Sequence, residues 1–351
     1  LMKTEALLDG TVEWLAGDGA DSDVVVACRA VLARNLAAFL FPPRCPHHEK
    51  HNVQEQVAEV VSTLSSFSSD RYYAFEELEG DEQRFLVERE LADEELSRVE
   101  GPRGVWISES QSSSIAVNGV EHLRLRALVS GLEPQKTWSI VNKLEGQLAT
   151  SLDFAYHEQF GFLTSSTAMV GTGLRLTVLL HLPALTMASK VLPLEQRLRE
   201  GRHRLEGVFG SVNERKGSLY ALSNMATLGQ SEEEMVFHLR HAADEAITQE
   251  RSFRENLLSK GRLALEDQVG RALGLVRGVR LLELDEALGL LSSLRLGVTT
   301  GLLTGYDLRV MNELLVWSRP AHIRLRTGNS REAVAESATR AELFRSYFAK
   351  V

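Results

Sequence analysis

The residues in this chain best suited to chemistry are arginines set beside tight polar turns. The stretch from Gly161 to Arg175 reads GFLTSSTAMVGTGLR: a short apolar piece, a small polar turn, Gly-Thr-Gly, then Leu-Arg. Gly171 and Gly173 let the backbone bend and admit a close neighbour. Arg175 follows with a planar, permanently charged fork of donors, which suits a phosphate. The spacing is neither that of a Walker loop nor that of a dinucleotide fingerprint, and a tight turn before a core element would give the same letters. Arg29 lies in a second such stretch, DVVVACRAVLARN, after the strand-like Val24 to Val26. A third is His122 to Val129. There Leu123, Leu125, Ala127 and Val129 would line one side of a strand, and His122, Arg124 and Arg126 the other. Cys45, His47, His48 and His51 invite a zinc reading, but their spacing fits no closed four-ligand pattern. They read as a solvated loop, and no metal site is assigned.

These side chains need elements to hold them. Val105 to Ser108 and Ile115 to Gly119 read as a strand pair around the polar turn SESQSS. Asn52 with Glu55 reads as a capping box opening a helix whose face is Val53, Val57, Val60, Val61 and Leu64. The run LTVLLHLPAL, 176–185, reads as a buried helix, and Gly101 to Gly104 as a junction between lobes. Gln196 to Arg204 is locally basic and reads as a solvated helix end. Ser231 with Glu234 forms a second capping box. From about Gln249 the chain is helical. Leu265, Val269, Leu273 and Val276 form one stripe, Leu308, Met311 and Leu315 another. Asp285 is placed to cap the helix carrying Leu288 and Leu291.

The chain has 351 residues, enough for about two domains. Apolar content of 44% and charged content of 25% are those of an ordinary globular protein. The net charge of −9 argues against nucleic acid as a partner. No apolar run is long enough to span a membrane. Two cysteines, Cys28 and Cys45, and no secretory leader point to a cytoplasmic, thiol-reduced setting.

The central stretch resembles the GYLTSCPTNVGTGLR signature of the phosphagen (ATP:guanido) kinase family, and further stretches match in the same order. The closest branch is the bacterial protein-arginine kinase, McsB type. The resemblance implies an α+β fold: a helical N-terminal lobe, an antiparallel sheet flanked by helices, then an all-helical C-terminal domain. It divides the chain into a kinase-like domain, 1–250 (helical lobe about 1–100, sheet lobe about 101–250), and a helical dimerisation and phosphoarginine-receptor-like domain, 251–351.

The resemblance also assigns roles. ACRAVLARN is similar to the family's SxRIRLARN, in which two arginines grip nucleotide phosphates; Arg29 matches the first and Val31 stands at the second. LVERELADEEL is similar to LVE(K/R)HLISPEL, with Glu90 at the nucleotide-site histidine. NGVEHLR is similar to NEEDHLR: Arg124 matches a phosphate arginine, Gly119 and Val120 stand at acidic positions, and Glu121 replaces the Asp. Arg175 matches, whereas Ser166 stands at the reactive cysteine. EGVFGS is similar to RGLYGE, with Glu206 at a phosphate arginine and Ser211 at the second substrate carboxylate. In the C-terminal region Glu336, Ser337, Arg340 and Ala341 align with the RDxxRA of the phosphoarginine receptor, so the Arg-Asp pair is gone.

Arg29, Arg124 and Arg175 thus remain for a nucleotide, while the catalytic positions hold Gly119, Val120, Ser166 and Ser211. A guanidinium is protonated at physiological pH and needs a carboxylate to orient it and take its proton. The expectation is a pseudokinase that regulates or scaffolds, by resemblance in protein quality control. ATP or ADP with magnesium would bind weakly. The alternatives are an active protein-arginine phosphotransferase with Glu121, Glu206 or Glu214 as base, and a nucleotide sensor. The expected partners are a second copy or an intact kinase relative, with protein clients or Clp-type quality-control proteins implied by the resemblance. Leu290, Leu291, Leu294, Leu296, Val298, Leu302 and Leu303 offer apolar surface for dimerisation.

Overall fold

Alternation decides the centre of the molecule. In Val25–Arg34 (β1) the residues Cys28, Ala30 and Leu32 point to one side of the sheet, and Arg29 and Val31 to the other. The computed structural model describes residues 4–8, 10, 12–67, 71–209, 214, 216–328 and 332–349. The other strands of the main sheet are Tyr72–Ala74 (β2), Gly104–Ile107 (β3), Ser113–Val117 (β4), Leu123–Ser130 (β5), Leu174–His181 (β8), His203–Gly207 (β9) and Leu219–Asn224 (β10). Tyr156–His157 (β6) and Gly161–Phe162 (β7) form a separate small hairpin. The main sheet is antiparallel throughout, in the order β2-β3-β4-β5-β1-β8-β10-β9.

The helices are Glu5–Leu8 (α1), His47–Val61 (α2), Gly80–Glu88 (α3), Pro134–Leu148 (α4), Pro183–Met187 (α5), Val191–Glu200 (α6), Glu232–Lys260 (α7), Arg262–Gly278 (α8), Leu284–Thr299 (α9), Leu308–Trp317 (α10), Pro320–Arg326 (α11) and Ala333–Phe348 (α12). One face of the sheet buries Leu125, Ala127, Leu176, Val178 and Leu222 with Val141 and Leu148 of α4 and Leu239 and Ala243 of α7. One end of the opposite face packs Leu128 and Leu219 against α8–α10 and α12. The first hundred residues supply α1–α3, the central strand β1 and the edge strand β2, and α7 runs unbroken through position 250.

Three local readings are corrected. The run 176–185 is mostly strand: β8 continues to His181, and Pro183 opens the short α5. A brief apolar run does not distinguish a buried strand from a buried helix, and here Leu176, Val178 and Leu180 alternate with Arg175, Thr177 and Leu179. Helix α2 begins at His47, so Asn52 and Glu55 lie inside it instead of capping it; Pro46 precedes its first turn. Glu283, not Asp285, occupies the N-cap of α9, and Asp285 pairs instead with Lys216 at 3.0 Å. The capping box of Ser231 and Glu234 is present.

Of the seven apolar residues expected to seek a partner, three are internal and four are half-buried. Leu291, Leu294 and Leu296 are at most 1% exposed, and Leu303 packs with Leu265 and Val269 of α8. Two stripes account for this. Leu265, Val269, Ala272 and Val276 of α8 face α9, and Met311, Leu314 and Leu315 of α10 close the other side.

Buried histidines, His122 and His322 among them, set a pH dependence. His122 is wholly buried; its Nδ1 accepts from the Leu36 N–H at 3.1 Å, and burial lowers its pKa from 6.5 to about 4. Burial also lowers His322 to about 4, although Glu88, 3.0 Å from its Nδ1, opposes the shift. A folded pKa below the unfolded one means that the unfolded chain takes up protons first. Stability should be full above about pH 6.5 and fall as the pH drops towards about 4. Urea midpoints across that range should decline, and His122→Gln should flatten the decline. An unchanged slope would contradict this assignment.

Candidate functional site

The sheet register gathers the arginines on one face. Val31 of β1 pairs with Arg126 on β5 and with Arg175 on β8, so these three side chains share a row. Arg29 and Arg124 follow two residues along their own strands, on the same side. Arg29 sits opposite Thr177, Thr177 opposite Ser223, and Ser223 opposite Arg204 of β9. Arg29, Arg124, Arg126, Arg175 and Arg204 therefore face one way, and Arg126 and Arg204 are additions to the set read from the family motifs. The period of two in LRLR already placed Arg126 beside Arg124.

These guanidinium groups are mostly spoken for. Arg29 Nη1 is ion-paired with Glu90, and its Nη2 lies 3.5 Å from the Thr177 hydroxyl. Arg124 Nη1 lies 3.1 Å from Asp93 and 2.6 Å from Glu95. Arg126 pairs with the other oxygen of Asp93 and donates to the Glu90 carbonyl at 2.8 Å. Burial works against the charged forms of Arg29 and Arg124, but Glu90 and Asp93 around the first, and Asp93 and Glu95 around the second, outweigh it and raise both pKa values. The same attraction overcomes burial at Asp93 and lowers its pKa to about 2, through Arg126 and Arg124. Asp93 and Glu95 were not read as site residues. Their positions along the chain carry no sign of it, because the arginines they reach lie about thirty residues away on β5.

Arg175 donates to the Asn224 carbonyl at 2.6 Å and lies 3.7 Å from the Met169 sulfur. Burial, then repulsion from Arg204, lowers its pKa. Arg204 is half exposed and lies 3.5 Å from Glu206 across β9. The glycines beside Arg175 serve the chain's own packing. A Cβ on Gly171 would meet the Thr227 carbonyl at 2.2 Å, and one on Gly173 the Ala33 carbonyl at 2.7 Å, both at positive φ.

The positions that the motif resemblance assigns to catalysis carry no free base among the described residues. Gly119 and Val120 form the β4–β5 turn with Glu121. Glu121 is 1% exposed and accepts from Asn35 Nδ2 at 2.5 Å, the Ser165 N–H at 2.8 Å and the Ser166 N–H at 3.2 Å. It is a strut between two turns. Ser166 is the N-cap of a short 3-10 turn at Thr167–Met169. Glu206 pairs with Arg204, Glu214 is exposed, and Ser211 lies outside the described residues. Glu121→Ala should therefore cost about 2 kcal/mol of stability, because one buried and two half-buried donors lose their acceptor. Urea denaturation checks this; a loss below about 1 kcal/mol would contradict the strut role.

A magnesium nucleotide fits this set of donors poorly. A polyphosphate needs several free cationic donors in a row, and here Arg29, Arg124 and Arg126 already hold carboxylates. The C-terminal set is similarly committed. Glu336 binds Arg324 at 2.6 Å, and Arg324 reaches Asp81 at 3.2 Å. Arg340, 2% exposed, donates to the carbonyls of Ser318 and Leu282, both at 2.8 Å; Ser337 and Ala341 are buried beside it.

Comparisons with known proteins agree with this architecture. The family model described as ATP:guanido phosphotransferase, C-terminal catalytic domain, matches residues 52–253. The protein-arginine kinase McsB C-terminal domain matches 262–351. A protein-arginine kinase of Moorella thermoacetica is 33% identical over 345 residues, covering 97% of this chain and 99% of that protein. One from Halothermothrix orenii is 32% identical over 333 residues, covering 95% of each. Among solved structures, a lombricine kinase aligns with a TM-score of 0.60 at 19% identity, over 71% of this chain and 74% of that one. The duplicated taurocyamine kinase from Schistosoma mansoni aligns at 0.60 and 20%, over 70% of this chain and 37% of that one. At such identities these structures speak for the fold alone.

Proposed function

Because this chain belongs to the ATP:guanido phosphotransferase family, in its protein-arginine kinase branch, we propose that it is a member that no longer transfers phosphate and acts by binding. The observation that carries this reading is the state of the β4–β5 turn. Gly119 and Val120 have no ionisable group, and Glu121 spends its oxygens on Asn35, Ser165 and Ser166. Proton removal from a guanidinium needs a carboxylate free to approach it. Its relatives are named as kinases, so the proposal concerns what this chain has lost.

The rest of the reading follows from that loss. Nucleotide affinity is low, because carboxylates lie on three of the guanidinium groups. Phosphoarginine sensing is lost with Glu336 in place of a cation. The division at about 250 separates the sheet-bearing part from the helical part, and assembly with a second copy or an intact relative is our proposal for how the chain acts. No helix among the described residues is long and apolar enough to cross a membrane. The test is incubation with magnesium-ATP and an unfolded acceptor protein, with phosphoarginine read by mass spectrometry; none is expected.

A further inference from the structure

The arginine face of the sheet carries its own anions. Glu90, Asp93 and Glu95 come from one short connection between α3 and β3. Their carboxylates fall in turn on Arg29, on Arg126 and Arg124 together, and on Arg124. These arginines stand on neighbouring strands, β1 and β5, which run about 4.8 Å apart. A row of anionic oxygens crossing from one strand to the next is also what a linear polyphosphate presents. The connection is bent to reach this face. Glu90 has φ +62°, in the left-handed region that a non-glycine residue seldom adopts. Its carbonyl is then held by Arg126 at 2.8 Å and its carboxylate by Arg29. Backbone strain of this kind persists where surrounding contacts over-determine it, and here the contacts are the arginines themselves. At the far side of the same face, Arg175 and half-exposed Arg204 have no carboxylate from this connection.

We propose that residues 90–95 are a tethered polyanion mimic lying over the arginine face, and that a linear polyphosphate is the ligand class this face takes once the mimic is removed. Glu90 and Asp93 are the lock, Glu95 is its exposed end, and Arg175 and Arg204 are the outer contacts of the incoming anion. The inference rests on reading this face as the family's phosphate face; it does not depend on whether transfer occurs. Asp93, lowered to about 2, keeps the mimic charged at neutral pH.

The experiment is calorimetric titration of the full chain with sodium tripolyphosphate, without magnesium, in low salt. The unaltered chain should bind weakly. Glu90→Gln combined with Asp93→Asn should tighten binding by about tenfold or more, since two like charges beside the anion are removed. The gain should shrink as salt is raised and vanish when Arg175→Ala is added. A folded double variant with no gain would overturn the proposal, as would equally tight binding by the unaltered chain. Should the double variant fail to fold, Glu95→Gln answers instead: that side chain is half exposed, 2.6 Å from Arg124. It should give a gain of about twofold or more, and no gain would also overturn the proposal. Tripolyphosphate offers nothing to an arginine acceptor assay. Detected phosphoarginine in the separate transfer assay would defeat the inactive reading and leave this one standing, whereas the calorimetry can fail with transfer still absent.

Discussion

Arg295→Ala is expected to lose about 4 kcal/mol of folding stability, most of what a marginal domain possesses. Arg295 lies on α9 and is 1% exposed. It donates to the carbonyls of Ser22 at 2.7 Å and Asp23 at 3.0 Å, reaches His181 Nδ1 at 2.9 Å, and binds Asn312 Oδ1 at 3.2 Å. One side chain thus ties the turn before β1, the end of β8, and α10 to the C-terminal helices. Burial first, and repulsion from Arg254 second, lower its pKa to about 9, so it remains charged at neutral pH. Each acceptor left unpaired in the interior costs about 1–3 kcal/mol, and relief from burying the cation returns part of that. Arg295→Met fills more of the space and should lose about 3 kcal/mol, which separates the hydrogen bonds from the cavity. Urea denaturation measures both. A loss under about 1 kcal/mol for the alanine variant would show that the junction is held elsewhere, with Arg254 and Glu250, 2.8 Å apart, as the alternative clamp.

Much of the fold was legible in the sequence because periodicity and motif order report packing. The alternation in HLRLRALV correctly placed Leu123, Leu125 and Ala127 on one face and Arg124 and Arg126 on the other, but that second face is not wet, since Arg126 is buried there. The stripes after Leu265 identified the faces of α8 and α10. The run after Gly173 was misread because its apolar length suits either element, and only pairing with β1 and β10 makes it a strand. Motif matching brought Arg29, Arg124 and Arg175 to one face but did not show their partners. Glu90 was read only as the residue standing at the nucleotide-site histidine; the structure gives it a task of its own, neutralising Arg29. That pairing joins residues 61 apart in sequence, and spacing carries no trace of it. The same limit applied to Glu121. Its candidacy as a base came from its place in the motif, and its commitment to Ser165 and Ser166 is visible only in three dimensions. The surplus of leucines after Leu290 looked like an interface because the layers that cover them, α8 and α10, are separate in sequence.

The account's central claim is that the fold outlived the reaction. Losing one general base typically costs about 10²–10⁴-fold in rate, and losing preorganised cationic donors at the transferred phosphate costs about another 10²–10³-fold each. On the proposed reading the site departs from the family on both counts, with Gly119 and Val120 at the carboxylates and Glu206 at a phosphate arginine. Together these place any residual transfer at least about 10⁴-fold below that of an intact relative. The most direct measurement is a side-by-side assay with a protein-arginine kinase such as that of Moorella thermoacetica, using equal protein, magnesium-ATP and one unfolded acceptor, read for acid-labile phosphoarginine by mass spectrometry. The account predicts modified arginines with the relative and none above background with this chain. Robust modification by this chain, abolished by Arg175→Ala, would contradict it.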